Sequence, residues 1–372
     1  MSVKVDKVIR ILLAGGGTGG HVYPAIAIAR AIEKAHPNVM IRFAGTRENM
    51  EWRAVPAAGY PITPISARGL QRAQLLHNLG IPFVVVKGLI ESRRLIREFD
   101  PHVVVGTGGY VSAPVLWAAS RMSRPVVIQE QNAFPGKANR ALASRARRIH
   151  VAFKEAESAF PAGRCVLSGN PTRPELQTAT REAGRKLFDL PADAHVLLVF
   201  GGSGGSAALN RAMILNVRRL LHDDPLLHIL WQTGRRYYPE YRTMSGVDER
   251  LTVLEYIDRM PMAYAAADVA LCRSGAITCS ELEVTGTPAI LVPSPNVAGG
   301  HQTWNAKSIA GDGAAILLPE SELEQRLQSE VREIMADEGR RGEMEKRMLA
   351  RARPGAAAAI AVDVLKVAGG VE

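Results

Sequence analysis

The sequence predicts an α/β protein made of two doubly wound parallel sheets, and three observations carry that prediction. An apolar run from Val8 to Ala14 passes through Gly15-Gly16-Gly17-Thr18-Gly19-Gly20-His21 into a helical pattern after Pro24. The same succession returns at Ala194 to Phe200, Gly201 to Ser206 and Ala207 to Leu221. Around the two copies, short branched apolar runs keep alternating with helical stretches. A short apolar run suits a strand covered on both faces, and strands that alternate with helices pair in parallel. Two copies of one opening unit in 372 residues imply two similar domains of ordinary size, facing each other across a cleft.

In the first half, further strands are expected at Ile41 to Ala44, Pro61 to Ile65, His102 to Val105, Pro125 to Gln129 and Arg148 to Ala152. Pro101 to Ser120 carries no charged side chain, yet Gly106, Gly108, Gly109 and Pro114 divide it into strand, loop and helix rather than a membrane span. The first domain should end in Gly169-Asn170-Pro171-Thr172-Arg173-Pro174, whose prolines resist both helix and central strand. In the second half, strands are expected at Leu226 to Trp231, Leu251 to Glu255, Asp268 to Leu271 and Ala289 to Val292. The tail from Glu320 is helical in composition and broken at Pro354-Gly355.

Composition narrows the setting. Cys165, Cys272 and Cys279 are odd in number and form no close metal-type pair, and no secretory signal precedes the first strand, so a reducing, cytoplasmic setting is expected. Charge is uneven: 24 Lys and Arg stand against 10 Asp and Glu through Arg173, and 22 against 26 after it. A basic first half suits an anionic substrate or an anionic membrane. Nucleic acid is not expected as a partner, because no recognisable module is present and aromatics for stacking are few.

The glycine turns are the candidate chemistry. They let the backbone approach a ligand, and the amides opening the next helix point outward with partial positive charge, a seat for a diphosphate. Gly15, Gly17 and Gly20 also fit the dinucleotide pattern, but the second strand ends in Gly45-Thr46-Arg47 without the acidic residue that holds a ribose. His21 beside such a turn could orient a substrate, accept a proton, or merely cap the helix. Gly106 to Ser112 forms a second turn of this kind in the first half. In the second, Cys272-Arg273-Ser274-Gly275 leads to a helix starting near Gly275, which places Glu281 to accept ribose hydroxyls or to form a surface salt bridge. From Arg68 to Lys87, Leu75, Leu79 and Phe83 lie beside Arg72 and Lys87, the composition of a segment resting on an anionic bilayer; Val84 to Ile90 alone read as core helix.

Taken together, Gly16-Gly17-Thr18-Gly19-Gly20-His21, Gly108-Gly109-Tyr110-Val111-Ser112, Glu130-Gln131-Asn132, Gly169 to Arg173, Gly201-Gly202-Ser203, Arg273 to Ala276 with Glu281, and Gln302 to Ala306 resemble the MurG family of bacterial glycosyltransferases, nearly end to end and in the same order. The resemblance implies a GT-B fold with residues 1–170 as an acceptor- and membrane-binding domain, 171–353 as the UDP-sugar domain, and a final helix within 354–372 packed back on the first. It implies inverting transfer of N-acetylglucosamine from UDP-N-acetylglucosamine to the 4-hydroxyl of lipid I, giving lipid II. Implied donor contacts are Thr18, Gly19, Gly20, Asn132, Arg173, Ser203, Ile257 and Gln302, with Ala276, Ile277, Thr278 and Glu281 at the nucleoside. Gly16, Gly17, Gly108, Gly109 and Tyr110 would face the acceptor diphosphate, and His21 or Glu130 would be the base. No metal or other cofactor is implied. Expected partners are lipid I, the anionic cytoplasmic face of the bacterial inner membrane, and a cell-wall synthesis complex. Gly204 and His301 stand where the family usually carries glutamine. Rival readings are a GT-B enzyme for another lipid acceptor, an NADP-dependent oxidoreductase in which Arg47 meets the 2′-phosphate, and a membrane-binding adaptor.

Overall fold

The branched apolar run near the amino terminus forms β1 (Ile9–Gly15), whose residues Ile11 to Ala14 are fully buried because the strand is central and covered on both faces. This computed structural model describes residues 8–69 and 80–369. After β1 come α1 (Gly19–Ala35), β2 (Val39–Gly45), α2 (Glu51–Ala57), β3 (Ile62–Pro64), α3 (Ile81–Phe99), β4 (Val103–Gly108), α4 (Ser112–Arg121), β5 (Val126–Glu130), α5 (Lys137–Leu142), β6 (Arg148–Val151) and β7 (Cys165–Leu167). The strands form one parallel sheet in the order β3-β2-β1-β4-β5-β6-β7.

A second series follows: α6 (Arg181–Leu187), β8 (His195–Phe200), α7 (Ala207–Asp223), β9 (Leu227–Gln232), α8 (Tyr238–Tyr241), β10 (Leu251–Leu254), α9 (Met260–Ala266), β11 (Val269–Cys272), α10 (Ala276–Thr285), β12 (Ala289–Leu291), α11 (His301–Gly311), β13 (Ala315–Leu317), α12 (Leu323–Ala336), α13 (Glu338–Arg351) and α14 (Ala356–Val367). Its parallel sheet has the order β10-β9-β8-β11-β12-β13, which repeats the first six positions of the other sheet. By contact the chain divides into one unit of Met1–Thr172 with Gly355–Glu372 and another of Arg173–Pro354.

In the first unit, alternate residues of β1 feed two cores. Ile11 and Leu13 pack with α1 and with Ile360, Ala361, Val364 and Leu365 of α14, while Leu12 and Ala14 pack with Leu95, Ile96 and Phe99 of α3 and with α4. Each of the large α14 side chains contributes about 1.5–3 kcal/mol of transfer free energy, which holds the last helix on this unit. In the second unit, Leu197, Val199 and Trp231 meet α7 and α12 in one cluster. Strand order reverses at β1/β4 and at β8/β11, and in doubly wound sheets ligands bind beyond the carboxyl ends of the strands at such points. The glycine turns sit there.

One expectation is corrected. Val84 to Ile90 read as core, but Val85, Val86 and Ile90 are exposed, as is Phe83 at 80 %. Gly88 and Ser92 set the phase of α3: a Cβ on Gly88 would lie 2.2 Å from the Ser66 carbonyl oxygen, so this narrow stripe faces inward and the branched residues turn out. The calls on Leu75, Leu79 and Arg72 lie outside the described residues. Among the described residues no helix is long and apolar enough to cross a membrane.

Candidate functional site

The first glycine turn is built around a carboxylate that the sequence did not point to. Glu51, fully buried at the start of α2, accepts hydrogen bonds from Gly17 N–H at 2.9 Å, Thr46 N–H at 3.0 Å and the Thr46 hydroxyl at 2.7 Å. Gly16 N–H is given to the Gly108 carbonyl at 3.3 Å. Gly16 and Gly17 were expected to face the acceptor diphosphate; in the structure both amides have partners within the protein and a carboxylate lies behind the turn. Thr18 caps α1, and its first-turn amides at Gly19 and Gly20 have no acceptor within the helix. Thr18 is exposed and Gly19, Gly20 and His21 are half-buried, so this stretch is where a ligand can reach the turn.

Gly108 was also expected to face the acceptor diphosphate, and in the structure it lies against Ser112 and His21. Its amide donates to Ser112 Oγ at 3.2 Å, and its φ of +105° is one that a side chain resists. A Cβ there would lie 2.8 Å from His21 Nδ1, so Gly108 makes room for the histidine ring. Gly109 touches the first turn in the same way: its Cβ would meet the Gly16 carbonyl oxygen at 2.1 Å. Tyr110 is exposed at the entrance to α4.

The His21 ring is held through Nδ1, which lies 3.0 Å from the Thr107 carbonyl oxygen and 2.9 Å from Gln131 Oε1. Both are acceptors, so Nδ1 carries hydrogen, and in the neutral ring Nε2 holds the lone pair. A neutral histidine of this tautomer can take a proton from a substrate hydroxyl. Glu130, the other candidate base, is buried at the end of β5 and is saturated. One oxygen accepts from Asn132 N–H at 3.0 Å and Asn132 Nδ2 at 3.2 Å; the other accepts from Gly136 N–H at 3.0 Å and Asn139 Nδ2 at 2.8 Å. Four donors occupy its two oxygens, and three of them come from the loop after β5 that carries Asn132.

The second unit presents a parallel construction. Gly201 to Gly205 turns out of β8, with Ser203 and Gly204 exposed. Gly204 has nothing within 4 Å of a Cβ position, so the turn itself does not require glycine there. Buried Gln232 clips this turn to the loop after β10, donating to the Gly202 carbonyl at 3.0 Å and accepting from Ile257 N–H at 2.8 Å. Ile257 is thereby buried and its amide spent, which leaves its carbonyl for any ligand contact. Arg273 donates to Ser206 Oγ at 3.1 Å and to the Val292 carbonyl at 3.1 Å, and pairs with Glu320. Gln302, near the start of α11, accepts from Ser294 N–H at 2.8 Å.

Helix α10 begins at Ala276 with Gly275 as its cap, so Ala276, Ile277 and Thr278 supply its first-turn amides. Glu281 is 5 % exposed, which corrects the surface salt-bridge reading. Its Oε2 accepts from the Tyr264 hydroxyl at 3.1 Å, and its Oε1 lies 3.3 Å from Arg173 Nε but makes no hydrogen bond. Burial pushes the Glu281 carboxyl up from its ordinary range, opposed by the Arg173 charge and the Tyr264 hydroxyl. Burial also raises Tyr264 and the Cys272 and Cys279 thiols, so neither cysteine is a nucleophile. The expected lone acceptor for two ribose hydroxyls is thus a carboxylate with one oxygen already taken.

The comparisons with known proteins agree along the length of the chain. Residues 11–151 match the Glycosyltransferase family 28 N-terminal domain, and residues 196–360 match the Glycosyltransferase family 28 C-terminal domain. A Salinibacter ruber protein named UDP-N-acetylglucosamine--N-acetylmuramyl-(pentapeptide) pyrophosphoryl-undecaprenol N-acetylglucosamine transferase is 53 % identical over 363 residues, covering 96 % of both chains. A protein of the same name from Symbiobacterium thermophilum is 42 % identical over 364 residues, covering 97 % of this chain and 96 % of its own. The crystal structure of Acinetobacter baumannii MurG superposes with a TM-score of 0.79 at 28 % identity, over 96 % of this chain and 99 % of that one. The fold class is therefore GT-B. With both domains matched in order and a relative more than half identical from end to end, the chain belongs to glycosyltransferase family 28.

Proposed function

We infer that this protein transfers N-acetylglucosamine from UDP-N-acetylglucosamine to the 4-hydroxyl of the muramyl sugar of lipid I, with inversion, and so forms lipid II. The observation that carries the reading is 53 % identity across 96 % of the chain to a transferase named for that reaction. The NADP reading is disfavoured by the first glycine turn, where Glu51 occupies the Gly17 amide that a pyrophosphate would need.

In this reading the bond from the anomeric carbon to the diphosphate breaks as the new bond to the acceptor oxygen forms, through a centre with oxocarbenium character. The acceptor hydroxyl gives its proton to His21 Nε2. Charge building on the leaving diphosphate is met by the amino end of α10 and by Arg173, which is half-exposed and can turn from Glu281 to a phosphate. Glu281 Oε1 accepts from the ribose, while Ser203, the Ile257 carbonyl and Gln302 of the same unit complete its donor contacts. The amides of Thr18, Gly19 and Gly20, with those of Gly109 and Tyr110, meet anionic or polar substrate groups.

The enzyme works as a peripheral protein at the cytoplasmic face of the inner membrane. Phe83, Val86 and Ile90 stand exposed on α3 beside Lys87, Arg93 and Arg94, apolar tips rimmed by cations in the basic half of the chain. The test of the function is UDP release from UDP-N-acetylglucosamine, UDP-glucose and UDP-galactose, each with and without a lipid I analogue. Release that needs both the N-acetyl sugar and the acceptor is expected. Equal release from all three donors, or release only with a different lipid acceptor, would overturn the assignment.

A further inference from the structure

Three buried amide side chains behind His21 form a chain whose direction is set at both ends by backbone carbonyls. Gln131 Nε2 lies 2.7 Å from the Thr107 carbonyl and 3.1 Å from the Gln129 carbonyl, and also meets Gln129 Oε1. The two backbone groups can only accept, so Nε2 must face them and Gln131 Oε1 must face His21. Asn170 Nδ2 must face the Gln131 carbonyl, so Asn170 Oδ1 faces Gln129 and accepts from its Nε2 at 3.0 Å, which leaves Gln129 Oε1 toward Gln131 Nε2. Asn170 Nδ2 completes the chain by donating to the Gln131 carbonyl at 3.1 Å. Gln129, Gln131, Asn170 and Thr107 are each no more than 1 % exposed, so water does not compete for these bonds.

We propose that Gln131, oriented by Gln129 and Asn170, is a positioning residue that acts with the Thr107 carbonyl to hold His21 as the Nδ1–H tautomer and so presents the Nε2 lone pair to the acceptor hydroxyl. The proposal deepens the reading of His21 as proton acceptor and rests on it. A reversed Gln131 amide would put N–H against Nδ1 in competition with the Thr107 carbonyl and raise the share of the Nε2–H tautomer, which cannot take the proton. When Nε2 accepts it, the imidazolium keeps its Nδ1–H bonds to Gln131 Oε1 and the Thr107 carbonyl, and no second proton moves. A neutral amide holds the ring without the buried carboxylate that a Ser-His-Asp arrangement uses for the same task.

The test uses the full chain labelled with 15N at histidine, with long-range 15N–1H correlation to read the His21 tautomer, in the wild type and in Gln131→Met. Wild type should show the Nδ1–H form alone above the pH at which the ring loses its charge; an Nε2–H form there would overturn the proposal without any variant. In Gln131→Met the Thr107 carbonyl is the one remaining acceptor at Nδ1, so the Nε2–H form should appear beside the Nδ1–H form, and kcat should fall about 2- to 10-fold with the smaller share of the competent, correctly turned ring, while KM for either substrate changes less than about threefold. A drop in kcat with the tautomer unchanged would overturn the proposal, because Gln131 would then act by another route. A mixed tautomer with unchanged kcat would leave the amide chain standing and remove His21 as the proton acceptor.

Discussion

Replacing Glu51 tests whether the first glycine turn is held from behind. In Glu51→Gln the side-chain oxygen can keep both Thr46 donors, at 3.0 Å and 2.7 Å, but the new NH₂ then points at Gly17 N–H, 2.9 Å away. One bond to a charged acceptor is lost and two donors face each other in a fully buried site, at a cost of about 2–3 kcal/mol. That is a large part of the 5–15 kcal/mol expected for a domain, and roughly 30- to 150-fold in the population of the native turn. With a urea slope of about 2 kcal/mol per molar, the unfolding midpoint should fall by about 1–1.5 M. Glu51→Ala orphans all three donors and leaves a cavity, so its loss should be larger, about 3–6 kcal/mol. Because the turn carries Thr18 to His21, turnover of Glu51→Gln under native conditions should fall by more than the folded fraction does. A Gln variant with the wild-type urea midpoint and wild-type turnover would refute the role assigned to this carboxylate.

Glu281→Gln should raise the Kd for UDP about tenfold or more, with a smaller loss for a dideoxyribose analogue, measured by calorimetry. Burial raises this carboxyl, so the unfolded chain gives up its proton at lower pH than the folded one. Relative to the Gln variant, wild type should therefore be most stable below the ordinary carboxyl value and lose thermal stability as pH rises through the raised one. Gly108→Ala forces a Cβ to within 2.8 Å of His21 Nδ1 at a φ of +105°, and turnover should fall at least about tenfold with the fold retained by circular dichroism. Phe83→Ser with Ile90→Ser should weaken sedimentation with anionic vesicles while sparing turnover of a short-chain soluble acceptor; unchanged sedimentation would take α3 off the membrane.

The parts of the fold legible in the sequence are those with a long local signal. The two apolar-strand, glycine-turn and helix units and the alternation after them lead to two parallel sheets of matching order. Strands β7 and β13, three residues each at sheet edges, carry no periodic signal and escape such reading. The outward face of the first half of α3 escapes for another reason: there the inward residues are Gly88 and Ser92, before Leu95, Ile96 and Phe99, so local hydrophobicity points the wrong way. At the site, His21 and Glu281 stand out because glycine turns announce them. Glu51, Gln131, Gln232 and Tyr264 do not, since each acts on a residue brought near only by the tertiary fold, and an isolated polar side chain in sequence looks like surface. Gln131 adjoins a flagged residue, yet nothing local shows that its neighbour Glu130 is saturated while its own oxygen faces His21.

The most direct test of the central claim is formation of the disaccharide-lipid product from UDP-N-acetylglucosamine and a lipid I analogue by wild type and by His21→Gln, with product linkage read by NMR. The account predicts a β-linkage to the muramyl 4-hydroxyl from wild type, and turnover at least about a hundredfold lower from the variant at unchanged melting temperature. An α-linked product, or a variant with near-normal turnover, would contradict it.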